Sequence, residues 1–238
     1  NRLLDASKNS GFAGLNMNSV DFAFGGFFSI GTLSYAWAKL YRKSFLDSNK
    51  IEFGDYRYAE DKIYNYFCYI AGARYAFTDK KIYVYRRNEQ SVSNTYRKDG
   101  DKDWMRIAQD LQDKIDSLNY EKKQYSQDEI ENYESIVAWT IYFAAFFDGK
   151  MEYEYSTGKI RTVINLLKRY ASYDLTKKYL KNPLRYTKKI PALSYKIMLG
   201  GFAFLMKCNM YVLLSLGIKL LVDWHIDERL SDTGRKED

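Results

Sequence analysis

Histidine is almost missing from this chain: His225 is the one example among 238 residues. That excludes a histidine-rich zinc site and weighs against a Ser-His-Asp triad. Cysteine is nearly as scarce. Cys68 and Cys208 stand far apart in apolar surroundings, so two free thiols in a reducing compartment are expected rather than a disulfide. The two prolines, Pro183 and Pro191, fall close together, which leaves the rest of the chain free to be helical. No signal peptide, internal repeat or low-complexity segment is visible, and no apolar run reaches the roughly 18–20 residues of a membrane-spanning helix. The chain starts at Asn1 without a methionine, which reads as the start of a fragment or a processed piece.

What the chain does hold is apolar and aromatic material. Hydrophobic residues make up 46% and aromatics 17%, enough for a packed core, and the 23 tyrosines argue against disorder. The net charge of +7 is unevenly placed. Residues 1–173 carry 25 basic against 23 acidic side chains, residues 174–219 carry 9 against 1, and residues 220–238 return to −3. The basic excess coincides with the longest apolar runs, Ile197–Met206 and Met210–Ile218. Positive charge interleaved with aliphatic residues points to an anionic membrane surface, reached through residues 177–219, and away from nucleic acid.

Along the chain, residues 1 to about 34 alternate glycine (Gly11, Gly14, Gly25, Gly26, Gly31) with phenylalanine, which predicts loops and one or two short strands. A short helical turn is expected at Lys43–Ser48. Ile63, Tyr66, Phe67, Ile70 and Ala71 then recur at helical spacing, predicting a helix from near Ala59 to Gly72. Tyr75–Phe77 and Ile82–Tyr85 read as short strands around Asp79-Lys80-Lys81. Residues 103 to about 182 look helical. One helix carries Ile130, Tyr133, Val137, Ile141, Ala144 and Phe147 on a face and stops at Gly149. A second runs from Thr157 to about Tyr170, with Ile160, Val163, Ile164 and Leu167 inward. Pro183 and Pro191 set off a basic, apolar tail. The domain reading is therefore 1–98, a helical extension over 99–182, and a helical tail over 183–238.

The chemistry-bearing pattern lies in the first of these. Trp37-Ala38-Lys39-Leu40-Tyr41-Arg42 is followed by Phe45-Leu46, by Ile51-Glu52-Phe53 and by Glu60-Asp61. Tyr83-Val84-Tyr85-Arg86-Arg87 and Ser91-Val92-Ser93 come next. In order and spacing, residues 30–98 resemble the acceptor-side half of an inverting family 2 glycosyltransferase. Asp61 in a first helical turn, where the helix dipole favours a carboxylate, suits a general base.

The resemblance implies an α/β fold: the C-terminal part of a GT-A nucleotide-sugar domain, followed by a mostly helical extension. It implies transfer of a sugar from a nucleotide-sugar donor to a saccharide or lipid-linked acceptor in bacterial surface polysaccharide synthesis, at the cytoplasmic face of the membrane. Asp61 would be the base and Glu60 its companion. Trp37 and Lys39 would line the cleft, and Arg86 and Arg87 would approach the pyrophosphate. The family also uses a divalent cation, magnesium or manganese, held by an Asp-x-Asp motif upstream of the Glu-Asp pair. Among Asp5, Asp21, Asp47 and Asp55 no such motif occurs, so the cation's ligands and the donor-binding half are expected outside this chain, and the piece alone is expected to be inactive. Asp99-Gly100-Asp101-Lys102-Asp103 has metal-like spacing but lacks the other positions of a calcium loop, and reads as a helix start. The alternative reading is a non-catalytic membrane-surface or interaction module derived from such an enzyme.

Overall fold

The structure, a computed structural model, describes residues 14–78, 80, 83–84, 96–118 and 125–224. Of the described residues 68% are helical, and none lies in a strand or sheet. The expected α/β architecture is therefore corrected to a mostly helical one. In chain order the helices are α1 (Val20–Phe24), α2 (Lys43–Asn49), α3 (Glu60–Ile70), α4 (Gly100–Leu118), α5 (Gln127–Tyr155), α6 (Ile160–Ser172), α7 (Asp174–Leu180), α8 (Pro183–Thr187), α9 (Leu193–Lys207) and α10 (Tyr211–Asp223).

Local chemistry explains why the expected strands are not there. Ser19 caps α1, its hydroxyl accepting from the Phe22 N–H at 3.1 Å, and the chain continues into a π-helical turn over Gly25–Ser29. Helical rather than alternating geometry brings Phe24 and Phe28 into a stack with centroids 5.8 Å apart. Tyr75–Phe77 is irregular chain: the Tyr75 N–H donates to the Met17 sulfur at 3.3 Å instead of to a neighbouring strand. Tyr83 and Val84 are exposed and irregular, and the rest of the Ile82–Tyr85 segment lies outside the described residues.

The chain divides into two compact units, residues 1–95 with 109–137 and residues 96–108 with 138–238. In the first, aromatic rings fill the core. Phe27 meets Tyr66 at 4.3 Å between centroids, Phe22 stacks on Tyr69 at 6.1 Å, and Tyr69 is met edge-on by Tyr133 at 5.8 Å. A smaller cluster of Ile51, Tyr64 and Cys68, with Phe45 and Leu46 against it, seats α2 on the outer side of α3.

In the second unit α6 packs on α7 and α10, while α9 packs on α7, α8 and α10. Buried indole and phenol groups find backbone partners: Trp139 Nε1 donates to the Tyr186 carbonyl at 3.2 Å, and the Tyr142 hydroxyl to the Tyr179 carbonyl at 3.0 Å. Gly149 does not end its helix. A β-carbon there would stand 2.9 Å from Ile218 Cδ1, so the glycine lies inside α5 to admit α10. Pro183 occupies the first turn of α8, where its missing N–H costs nothing. Asn209, in the left-handed region at φ 57°, turns the chain between α9 and α10. Both cysteines are free thiols, but Cys208 is exposed rather than in apolar surroundings.

Candidate functional site

Helix α3 starts abruptly. Ala59, in the left-handed region at φ 53°, precedes it and offers no side-chain cap, so Glu60 and Asp61 supply the negative charge of the first turn. Glu60 is exposed and Asp61 half-buried. One turn on, Asn65 is buried on the otherwise apolar face of the helix. Its amide nitrogen donates to the Asp61 carbonyl at 2.8 Å and to the Tyr35 carbonyl at 3.2 Å, and its oxygen accepts from the Tyr41 hydroxyl at 2.9 Å. A single buried side chain thus fastens the Tyr35–Tyr41 segment to the turn that carries Asp61.

That fastening sets Lys39 and Trp37. The Lys39 ammonium donates to the Tyr35 carbonyl. Burial pulls its pKa down to about 8, and the negative charge of Asp61 acts in the opposite sense. Lys39 and Asp61, which are 22 positions apart in sequence, therefore share one electrostatic environment. Trp37 lies in a three-ring stack, with Tyr35 at 4.8 Å and 24° on one contact and Tyr83 at 4.8 Å and 15° on the other. Between Trp37 and Lys39, Ala38 has φ 56°, a left-handed conformation that turns the two side chains onto their respective partners. Beside Asp61 on α3, the Lys62 ammonium sits 4.6 Å from the Phe28 ring centroid, and burial lowers its pKa to about 8 as well. The Tyr41 phenol is pushed up, mainly by burial and with a smaller contribution from the Asp61 charge.

Of the residues singled out in the sequence, Trp37, Lys39 and Asp61 are brought together, and Glu60 stands in solvent on the same turn as Asp61. Arg86 and Arg87 lie outside the described residues. Asn65 and Tyr35 were not singled out, and Tyr83 was quoted only within the Tyr83-Val84-Tyr85-Arg86-Arg87 run, with no site role. Asn65 did carry a signal: an amide one turn beyond a candidate acid, on a face otherwise made of Ile63, Tyr66 and Ile70. Tyr35 carried none beyond being aromatic.

The metal-like run at the start of α4 resolves into structure. Asp99 pairs with Lys102 at 3.1 Å and Asp103 with Arg97 at 3.8 Å, while Asp101, buried, accepts from Arg169 at 3.1 Å and from the Tyr173 hydroxyl at 3.1 Å. The three carboxylates serve three separate basic partners. Among the described residues no three His, Cys, Asp or Glu side chains converge where an ion would be held.

No family model, curated protein or solved structure matches the chain.

What the arrangement can do chemically follows from its parts. A half-buried carboxylate at an uncapped helix start can accept a proton. An ammonium within its electrostatic reach, with a pKa lowered to about 8, can stabilise developing negative charge. The Trp37 ring, held in its stack with Tyr35 and Tyr83, is a rigid apolar wall.

Proposed function

We propose that this chain is the acceptor-side part of an inverting glycosyltransferase, in which Asp61 is the general base. The acceptor, a saccharide or lipid-linked saccharide of a bacterial surface polysaccharide, presents a hydroxyl to Asp61. Its oxygen attacks the anomeric carbon of a nucleotide-sugar as the proton passes to the carboxylate. The carbon–oxygen bond to the nucleotide diphosphate breaks, and the electron pair departs with the phosphate. Lys39 and Trp37 belong to the wall of the cleft near Asp61.

The observation that carries the reading is the shared field of Lys39 and Asp61 next to the stacked Trp37 ring, built by two motifs that are remote in sequence. The test is Asp61→Asn in the intact protein, assayed for product from a panel of UDP-sugars. Product formation should fall by roughly three orders of magnitude or more with donor binding retained. Near-normal turnover would show that the base lies elsewhere.

A further inference from the structure

Helix α10 carries two charged side chains, Lys219 and Asp223, which pair with each other beside Tyr153 of α5 and stay partly exposed. The Tyr153 hydroxyl donates to Asp223 at 3.1 Å, and Lys219 lies 3.1 Å from the same hydroxyl. The rest of its solvent-facing side is aliphatic: Val212, Leu213, Leu216 and Leu220 are all exposed, Leu213 by 48% and Leu216 by 41%. Trp224 follows directly, 63% exposed. The neighbouring α9 repeats the pattern, with Leu193, Ile197 and Phe204 exposed along one stripe at helical spacing. Two packed helices thus present their apolar sides outward, which ordinary soluble surfaces seldom do over such a stretch.

The surrounding charge says what covers this face. Lys196 and Lys207 stand three positions after Leu193 and Phe204, on the same side of α9 as the apolar stripe. Residues 174–219 carry nine basic side chains and one acidic, Asp174, and that one is paired with Lys177 at 2.8 Å. A second copy of the chain would bring the same positive charge against itself. A bilayer rich in anionic headgroups offers the opposite sign and an apolar layer at once. Neither helix is long and apolar enough to cross a membrane, nor is any other among the described residues.

We propose that the outward face of α9 and α10 lies in the headgroup region of an anionic bilayer, with the aliphatic side chains and Trp224 inserted and the lysines on the lipid phosphates. The docking is a property of this face and stands independently of the activity proposed for Asp61.

Cosedimentation of the full chain with vesicles tests it, using phosphatidylcholine alone and phosphatidylcholine mixed with phosphatidylglycerol. The chain should bind the anionic vesicles at low salt at least about tenfold better than the neutral ones, and lose that preference at high salt. Leu213→Glu with Leu216→Glu, both at exposed positions, should cut binding by about tenfold or more at unchanged helicity. Lys196→Glu with Lys207→Glu should abolish the preference for anionic lipid. Failure to bind anionic vesicles, or undiminished binding by the leucine variant, would overturn the proposal. So would a dimer in gel filtration that the leucine variant dissolves, since a second copy would then be the occupant.

Discussion

The Asn65 side-chain nitrogen donates to the Tyr35 carbonyl at 3.2 Å, across thirty positions of sequence. The same amide holds the Asp61 carbonyl and the Tyr41 hydroxyl, so three groups depend on one residue that is almost fully buried. Asn65→Ala should leave the Tyr41 hydroxyl and the Tyr35 carbonyl without their partner, at a cost of about 2–4 kcal/mol in chemical denaturation. In the intact protein the same change should also slow the proposed sugar transfer, because the Tyr35–Tyr41 segment that carries Trp37 and Lys39 is fastened through this amide. A loss below about 0.5 kcal/mol would mean that water replaces the amide freely.

Lys39 gives a measure of the site that needs no substrate. With its pKa lowered to about 8, Lys39 should react with an acylating reagent in a pH profile that has its midpoint near 8, well below that of surface lysines. Asp61 raises that value, so Asp61→Asn should move the midpoint further down. Peptide mapping of the labelled chain reads both. An unmoved midpoint in the variant would separate the two side chains.

Ala38 and Ala59 both sit in the left-handed region, at φ 56° and 53°, each at the edge of one motif of the candidate site. For a residue with a β-carbon that conformation costs roughly 1–2 kcal/mol, while glycine gives back only part of this as entropy of the unfolded chain. Ala38→Gly and Ala59→Gly should therefore each stabilise by roughly 0.5–1 kcal/mol. Ala71→Gly, at an ordinary φ of −72°, should destabilise and serves as the control. Thermal unfolding compares the three.

Asp148 makes stability depend on pH. Burial raises its pKa to about 6, with the Asp101 charge adding to this and the Tyr170 hydroxyl, Arg97 and Arg169 acting against it. A carboxyl raised above its unfolded value contributes fully at a pH below that unfolded value, and the contribution is lost as pH climbs towards 6. The chain should thus lose about 2 kcal/mol from this group between roughly pH 4 and pH 6. Asp148→Asn can still accept from Tyr170. It should flatten that dependence and be the more stable protein at neutral pH, as urea unfolding across the range would record.

Much of the helical order was legible from side-chain spacing. Ile63, Tyr66 and Ile70 announced α3, which runs from Glu60 to Ile70, and Val163 and Leu167 announced α6. Gly149 misled because a glycine that ends a helix and one that admits a neighbour look alike in one dimension. Only the approach of Ile218 separates them. The phenylalanine-rich stretch misled for a related reason: residues two apart suit a strand, three or four apart a helix, and Phe22, Phe24, Phe27 and Phe28 offer both spacings.

Read alone, the chain singled out Asp61, Lys39 and Trp37 as candidates, because the order and spacing of short motifs can be read in one dimension. It also determined where basic charge and aliphatic runs coincide, since composition along a segment needs no partner to be counted. Three-dimensional packing decided the rest. That Asn65 joins Tyr35 to Asp61, that Tyr83 stacks on Trp37, and that Tyr153 meets Lys219 and Asp223 of α10 are all contacts between distant positions. Such contacts are selected by the energy of the whole packed chain, which no local pattern encodes.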